Sequence, residues 1–546
     1  MDLAQVYYNA AKYHSYAEIL ELLNQWQAAF PNLAKIYPIG KTYEQRDIYA
    51  IEITNEATGP AVDKPAYYID ANFHAGEVTG SAVALYTISY LLENYGADAS
   101  VTALLDNKAF YIVPRVSIDG AELYLHTPTM LRSSTRLYPY EEDQDGLHPE
   151  DINGDGVITQ MRVQDLNGEW KISGLDPRLM IRRAPDDFEG EFYRIYMEGR
   201  IQNFDGVEVK PAPARYGLDI NRNAPANWMN KPSAGPYPFS EPETRTVANF
   251  LLSKKNIAGA MSYHTAGGVH LRPPCTKSDD KLPGRDLEYF KAIWERGTEY
   301  TGYPQVGVFD GFTADKQNPM GGIFMDWVYE HQGILCWSTE LWNVAKQAGI
   351  EKTDFLSHRQ KSPQELEADG LKLLQWNDRE LNGEGFVVWT PFEHPDLGPV
   401  EIGGWKTKYV RQNPPVQFLE AECHNNAMFT LVHAHSLPQV GIHRVKVECV
   451  SPGFYRISAG VVNQGYLPTN GSDLATRLNA IKPVKATISG AGVTVPAGKA
   501  KLELDQLPGW GEKKVEWLVQ AEAGTKAIIT ALGERAGKAQ VEITLE

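Results

Sequence analysis

The 546-residue chain contains only four cysteines, and no two of them stand in a CxxC pair. Cys275, Cys336, Cys423 and Cys449 therefore read as free thiols of a reducing compartment, buried as small hydrophobes, and not as a disulfide framework. Basic residues are outnumbered: 52 Lys and Arg against 69 Asp and Glu leave a formal net charge of -17. That balance excludes nucleic acid and anionic membrane as expected partners, because both attract a basic surface. No apolar run is long enough to span a bilayer. The opening "MDLAQVYYNAAKYHSYAEILELLNQW" lacks the basic start and apolar stretch of a secretory signal, so a cytoplasmic location is expected. Internal repeats and low-complexity runs are absent as well.

What the chain does have is alternation. "SYAEILELLNQWQAAF" carries apolar residues at helical spacing. "PAYYIDANF" and "KAFYIVPRV" are short apolar runs, and the helical "SAVALYTISYLLENY" lies between them. Strand, helix, strand is the unit of an α/β fold with a mixed, mostly parallel sheet and helices on both faces, expected over residues 1–380. "NIAGAMSYHTAG" and "GILCWSTELW" are further apolar runs that end in polar residues. In open α/β sheets, sites gather at such strand ends. An insertion over about 138–215 breaks the rhythm; it is first acidic, then basic, and rich in Gly and Pro. "SEPETRTVANFLLS" opens a helix with Ser240 as N-cap and Glu243 at capping-box spacing. Residues 381–435 read as a connecting segment with one helical stretch, "EAECHNNAMFTLVHAHS". From 436 to 546, short alternating runs between Gly-rich turns predict a C-terminal β-sandwich.

A catalytic zinc site takes three protein ligands and keeps one position open. The helical HExxH motif is absent. "FHAGE" instead places His74 and Glu77 three residues apart at a strand end, and "MSYHTAGG" ends another apolar run on His264. A lone HxxE is common by chance. Taken singly, His264 reads as a hydrogen-bonded core histidine, Glu340 beside Trp337 and Trp342 as a strand-end carboxylate in an ion pair, and Arg222 as a loop brace.

The order of the motifs separates these readings. "IYPIGKTYEQRDIYAIEI" at 36–53, "HAGE", "VPRVSIDGAE", an arginine, "GLDINRN", "PFSEPET", "SYHT", "DW" and, fourteen residues on, the glutamate of "TELW" follow one another. In that order, most of residues 10–345 resembles the M14 family of zinc carboxypeptidases. The resemblance implies that His74, Glu77 and His264 bind one Zn²⁺ per chain. It implies that Glu340 is the general base, taking a proton from a zinc-activated water and delivering one to the leaving amine. Arg132 in "MLRSSTR" would stabilise the scissile carbonyl's oxyanion, with Arg136 as the alternative. Asn221 and Arg222 would hold the terminal carboxylate of a peptide substrate. Met325, just before Asp326, takes the place that shapes the specificity pocket, so an apolar C-terminal residue is preferred.

Two positions depart from the A-type enzymes. Gly76 replaces an arginine that docks the peptide. Gln317, four residues before Gly321, replaces a tyrosine that folds over the substrate, with Tyr329 a candidate substitute. These changes leave room for a zinc amidase of the same fold, acting on cell-wall peptides or acylated amino acids. A non-catalytic binding protein is the third reading. In the insertion, "DINGDGVITQMR" places Asp151, Asn153 and Asp155 at alternate positions before Gly156, the first half of an EF-hand-type calcium loop. Arg162 stands where that loop needs a bidentate Glu, so Asp143, Asp145 or Asp165 would have to supply oxygens; the alternative is a hydrated acidic turn.

Overall fold

A computed structural model describes residues 6–351 and 361–546. In chain order, the strands of its central sheet are β1 (Ala34–Lys41), β2 (Asp47–Ile53), β3 (Ala66–Ala71), β4 (Ala109–Val113), β5 (Ile257–Thr265), β6 (Val269–Arg272), β7 (Gln305–Gly307) and β8 (Leu335–Leu341). Across the sheet they run β1-β2-β4-β3-β5-β8-β6-β7. The pairs β3–β4, β3–β5, β5–β8 and β6–β7 are parallel, and the others are antiparallel. The central β3, β4 and β5 are buried along their whole length, which is why they read as near-continuous apolar runs.

Helices cover both faces, and the strand period of two assigns each side chain to one of them. Tyr67 and Ile69 join the core built from the helices Tyr16–Ala29, Val78–Asn94 and Gly284–Thr301. Ala66 and Tyr68 join the opposite core, with the helices Pro242–Ser253 and Phe324–Gln332. The helix Pro242–Ser253 starts without the expected capping box. Glu241 is its N-cap. The Ser240 hydroxyl is taken by Asn223 and Glu241, and the Glu243 carboxylate accepts the Tyr43 amide.

The insertion builds strands of its own. Gln160–Gln164, Trp170–Ile172, Met180–Arg182 and Tyr193–Met197 form one antiparallel sheet with Phe386–His394 and Gly398–Trp405. Residues 381–435 therefore do more than connect: they supply two strands to this sheet. The helix Val416–Ser436 then buries Leu419, Cys423 and Phe429 in the main core.

From Val440 onward, two four-stranded antiparallel sheets face each other across Ile457, Val461, Trp517 and Ile529, as expected of a sandwich. It is held to the α/β layer by polar contacts. Buried Arg535 donates to the carbonyls of Gln332, Gly333 and Asn470, and Asp286 accepts the amides of Asp473 and Leu474. Three cysteines are buried, but Cys449 is exposed on the strand Val440–Ser451. Among the described residues, no helix is long and apolar enough to cross a membrane.

Candidate metal centre

The site forms where three parallel strands end together. The chain leaves β3 through Asn72, whose φ is +61° and whose side-chain amide donates to the carbonyls of His74 and Ala75. This tight turn carries "HAGE" to the start of the helix Val78–Asn94, with Glu77 as its N-cap. On the neighbouring strands, the parallel register sets His264 directly beside Glu340.

His74, Glu77 and His264 are almost fully buried, at 3%, 1% and 2% exposure. Their ligand atoms lie within 4.8 Å of one another. The two Nδ1 atoms are 3.2 Å apart, and each is 2.9 Å from one oxygen of Glu77. The donor set fits zinc. Tetrahedral zinc with Zn–N bonds of about 2.05 Å sets two nitrogens about 3.3 Å apart, and two imidazoles with one carboxylate is a ligand set of catalytic zinc. Burial alone would raise the Glu77 carboxyl, but the flanking His74 and His264 rings outweigh it and hold the group well below the usual range. His264 shifts upward: burial disfavours its cation, and Glu77, Glu340 and Asp70 outweigh that.

A second ring of groups orients the first. Asp219 accepts at 3.0 Å from His74 Nε2 and at 3.0 Å from Arg132 Nε. Burial would push its carboxyl up, but His74, Arg222 and Arg132 hold it well below the carboxylate range. On the other side, His264 Nε2 lies 3.2 Å from Ser262 Oγ, and that hydroxyl donates to Asp70 at 2.5 Å. Outer partners of this kind fix which histidine nitrogen faces a metal.

Glu340 is half-buried beside this cluster. Burial, then the Glu77 charge, push its carboxyl up to about 7, against the pull of His264, His74 and Arg132. Arg132 also donates to Glu77 at 3.2 Å and keeps 45% side-chain exposure. Arg136 is engaged elsewhere, paired with buried Glu241 at 3.0 Å. Arg222 lies 3.9 Å from Asp219 and donates to the Asn221 carbonyl. The Asn221 Oδ1 accepts the Phe324 amide, which leaves its Nδ2 as the donor. Met325 is only 2% exposed, packed with Phe324 and Trp327.

Gly76 has a structural reason. A Cβ there would lie 2.7 Å from the Tyr124 ring and 2.8 Å from Gln412 Nε2. These two side chains are hydrogen-bonded to each other at 3.0 Å. Asn413 Nδ2 also donates to the Gly76 carbonyl at 2.8 Å. The space next to the backbone at position 76 is thus filled by Tyr124, from the helix Ile118–His126, and by the 407–413 turn. Tyr329 does not take the tyrosine role: it is 1% exposed in the core and donates to Asp286. Gln317 is exposed.

The calcium reading finds no support. Among the described residues, His74, Glu77 and His264 make the one cluster suited to a metal. The Asp151 oxygens accept the amides of Gly154, Asp155 and Gly156, while Asn153 and Asp155 accept loop amides. Arg162 is forked onto Glu401. The loop is an acidic turn closed by its own backbone.

Motif spacing does not single out Asp219, Ser262 or Asp70. Each lies two to four residues from a candidate ligand or clamp; for Asp70 and Ser262, a charged or hydroxyl group in an apolar strand is the signal that could find it. Tyr124 and Gln412 offer no such signal.

A family model described as zinc carboxypeptidase matches residues 19–367, and one described as a domain of unknown function matches residues 439–544. Carboxypeptidase O of Bos taurus is 23% identical over 276 residues, 49% of this chain and 54% of that protein. Carboxypeptidase A6 of Mus musculus is 23% identical over 267 residues, 49% of this chain and 46% of the relative. The chain thus spans about half the length of these relatives. Among solved structures, thrombin activatable fibrinolysis inhibitor is 18% identical with a TM-score of 0.40, covering 67% of this chain and 74% of that one. Carboxypeptidase A from Helicoverpa armigera is 17% identical with a TM-score of 0.40, covering 70% of this chain and 76% of that one. With the family model spanning more than half of its length, the chain belongs to the zinc carboxypeptidase family.

Proposed function

We propose that this chain is a zinc-dependent metallocarboxypeptidase that hydrolyses C-terminal peptide bonds. The observation that carries the reading is the register of β5 and β8, which sets Glu340 beside His264 of a three-donor cluster. His74, Glu77 and His264 would hold zinc, which when bound would supply Lewis acidity toward a carbonyl and would lower the pKa of water to about 7. Glu340 accepts the proton from the attacking water and returns one to the leaving amine. Arg132, still partly exposed, donates to the developing oxyanion. Arg222 and the Asn221 amide hold the terminal carboxylate, and Met325 backs the pocket for an apolar side chain. Residues 1–380 act as the catalytic unit, and residues 436–546 serve as an accessory module.

Purified protein is expected to hold near-stoichiometric zinc, to lose activity on chelation and to release the C-terminal residue from apolar-ended blocked dipeptides. Glu340→Gln is expected to retain zinc and lose about 10²–10⁴-fold in kcat. Full turnover by that variant would remove Glu340 as the base. Gly76 supports a second reading, an amidase of the same fold, because Tyr124 and Gln412 fill the place beside it where a peptide-docking arginine would start. Faster hydrolysis of γ-linked wall peptides than of α-linked dipeptides would favour that reading.

A further inference from the structure

Arg132 and Gln412 each face two ways. Arg132 bonds Glu77 and Asp219 in the metal centre, and Gln412 lies against Gly76 between His74 and Glu77. Both also line a cavity of about 820 Å³. It is lined by the 128–132 segment, by the insertion, including Ile158, and by Tyr216 at the insertion's end. A neighbouring cavity of about 750 Å³ shares Met130 and Ile158 but reaches neither Arg132 nor Gln412. Of these two, the first alone is lined by Arg132, which bonds Glu77 and Asp219.

Its position relative to the metal cluster fixes a direction. Asp219 bonds Arg132 at 3.0 Å and lies 3.9 Å from Arg222, so it stands between the two guanidinium groups. Arg222 and Asn221 are not part of the cavity wall. On the carboxypeptidase reading, on which this inference rests, the terminal carboxylate sits at Arg222 and the scissile carbonyl at Arg132. The peptide chain upstream of the bond must then leave past Arg132, into this cavity.

The lining indicates which side chains it takes. Its charges are largely spent on one another: Arg200 is bonded to Asp143 and Glu150, and Asp151 to its own loop amides. Met130, at 38% exposure, is the large apolar side chain left open, with Leu131 and Tyr216 half-buried. We infer that this cavity, built by the insertion against residues 128–132, binds the residues N-terminal to the scissile bond and selects peptides that are apolar there. Its volume is in the range that encloses a drug-sized ligand, room for about two or three residues.

The test uses the full chain and three blocked peptides, N-acetyl-Leu-Phe, N-acetyl-Leu-Leu-Leu-Phe and N-acetyl-Asp-Asp-Leu-Phe. The two added leucines are expected to raise kcat/KM about tenfold, through KM, the scale set by burying most of one apolar side chain; the two aspartates give no gain. Met130→Ala and Tyr216→Ala, one from each lining segment, should each remove most of that gain and slow N-acetyl-Leu-Phe, which has a single residue upstream of the bond, far less. Equal kcat/KM for the short and long apolar peptides overturns the inference while leaving the carboxypeptidase reading intact. So do variants that slow both peptides alike. If none of the three is cleaved, the carboxypeptidase reading falls and the inference falls with it.

Discussion

Ser262 carries a load out of proportion to its size. When His264 faces a metal through Nδ1, its Nε2 must carry the proton. That N–H points to Ser262 Oγ at 3.2 Å, and the same hydroxyl passes its own hydrogen to Asp70 Oδ1 at 2.5 Å. Ser262 is 2% exposed and Asp70 1%, so bulk water does not replace either bond. Burial drives the Asp70 carboxyl up to about 7, and the Ser262 hydroxyl is the first group opposing it. Ser262→Ala removes both bonds at once. Loss of such an outer partner costs about 10–100-fold in metal affinity, equivalent to about 1.4–2.7 kcal/mol. The assay is competition for zinc between the metal-free protein and a chromophoric chelator at fixed pH. The metal-free variant should also unfold more easily, because a buried carboxylate left without its donor costs about 1–3 kcal/mol. Asp70→Asn, whose amide oxygen still accepts from Ser262, should lose less zinc affinity than Ser262→Ala. A zinc affinity within twofold of wild type in Ser262→Ala, with only the fold weakened, would refute the orienting role.

Three further outcomes are expected. Gly76→Arg should lower the thermal midpoint, since its Cβ lands 2.7 Å from the buried Tyr124 ring and overpacking costs about 1–3 kcal/mol; an unchanged midpoint with tighter peptide binding would contradict this. Arg132→Ala should cost about 10²–10³-fold in kcat, whereas Arg136→Ala should act mainly on stability by stranding Glu241; equal kinetic losses would undo the distinction. Arg535→Ala leaves the carbonyls of Gln332 and Asn470 without this donor, while that of Gly333 keeps the Ser472 hydroxyl, and each buried acceptor so stranded costs about 1–3 kcal/mol; guanidinium unfolding would show no shift if the contact were idle.

Much of the site is legible in the order of residues alone, for reasons that are local. A strand buried on both faces must be apolar, so "PAYYI" and "NIAGAMSY" mark the strands, and polar residues at their ends mark the edge where chemistry is placed. The Ser15–Glu18 capping box and the apolar spacing of the helix Tyr16–Ala29 are equally local. Ser240 shows the limit of such rules. Its sequence matches a capping box, yet Asn223 and Glu241 take its hydroxyl and Tyr43 takes Glu243. The long-range partners won because burial there leaves a lone helix-cap bond no advantage.

Tertiary packing settled what spacing left open. Arg132 and Arg136 are four residues apart and alike in chemistry; only the positions of Asp219 and Glu241 send one to the metal cluster and the other away. Tyr329, a candidate to cover a substrate, is instead enclosed by the helix that carries Asp286. Residues 381–435 read as a connection, because hairpins look alike whether or not a distant strand awaits them. The strands Gln160–Gln164 and Gly398–Trp405 find each other only in the folded sheet. The residue types and their order along the chain carried the candidate metal ligands and the candidate base, through the resemblance to zinc carboxypeptidases that this order makes. The neighbours that orient those groups, and the wall that shapes the substrate cavity, come from segments up to hundreds of residues away. Such contacts depend on how helices and sheets pack, and no local pattern encodes that.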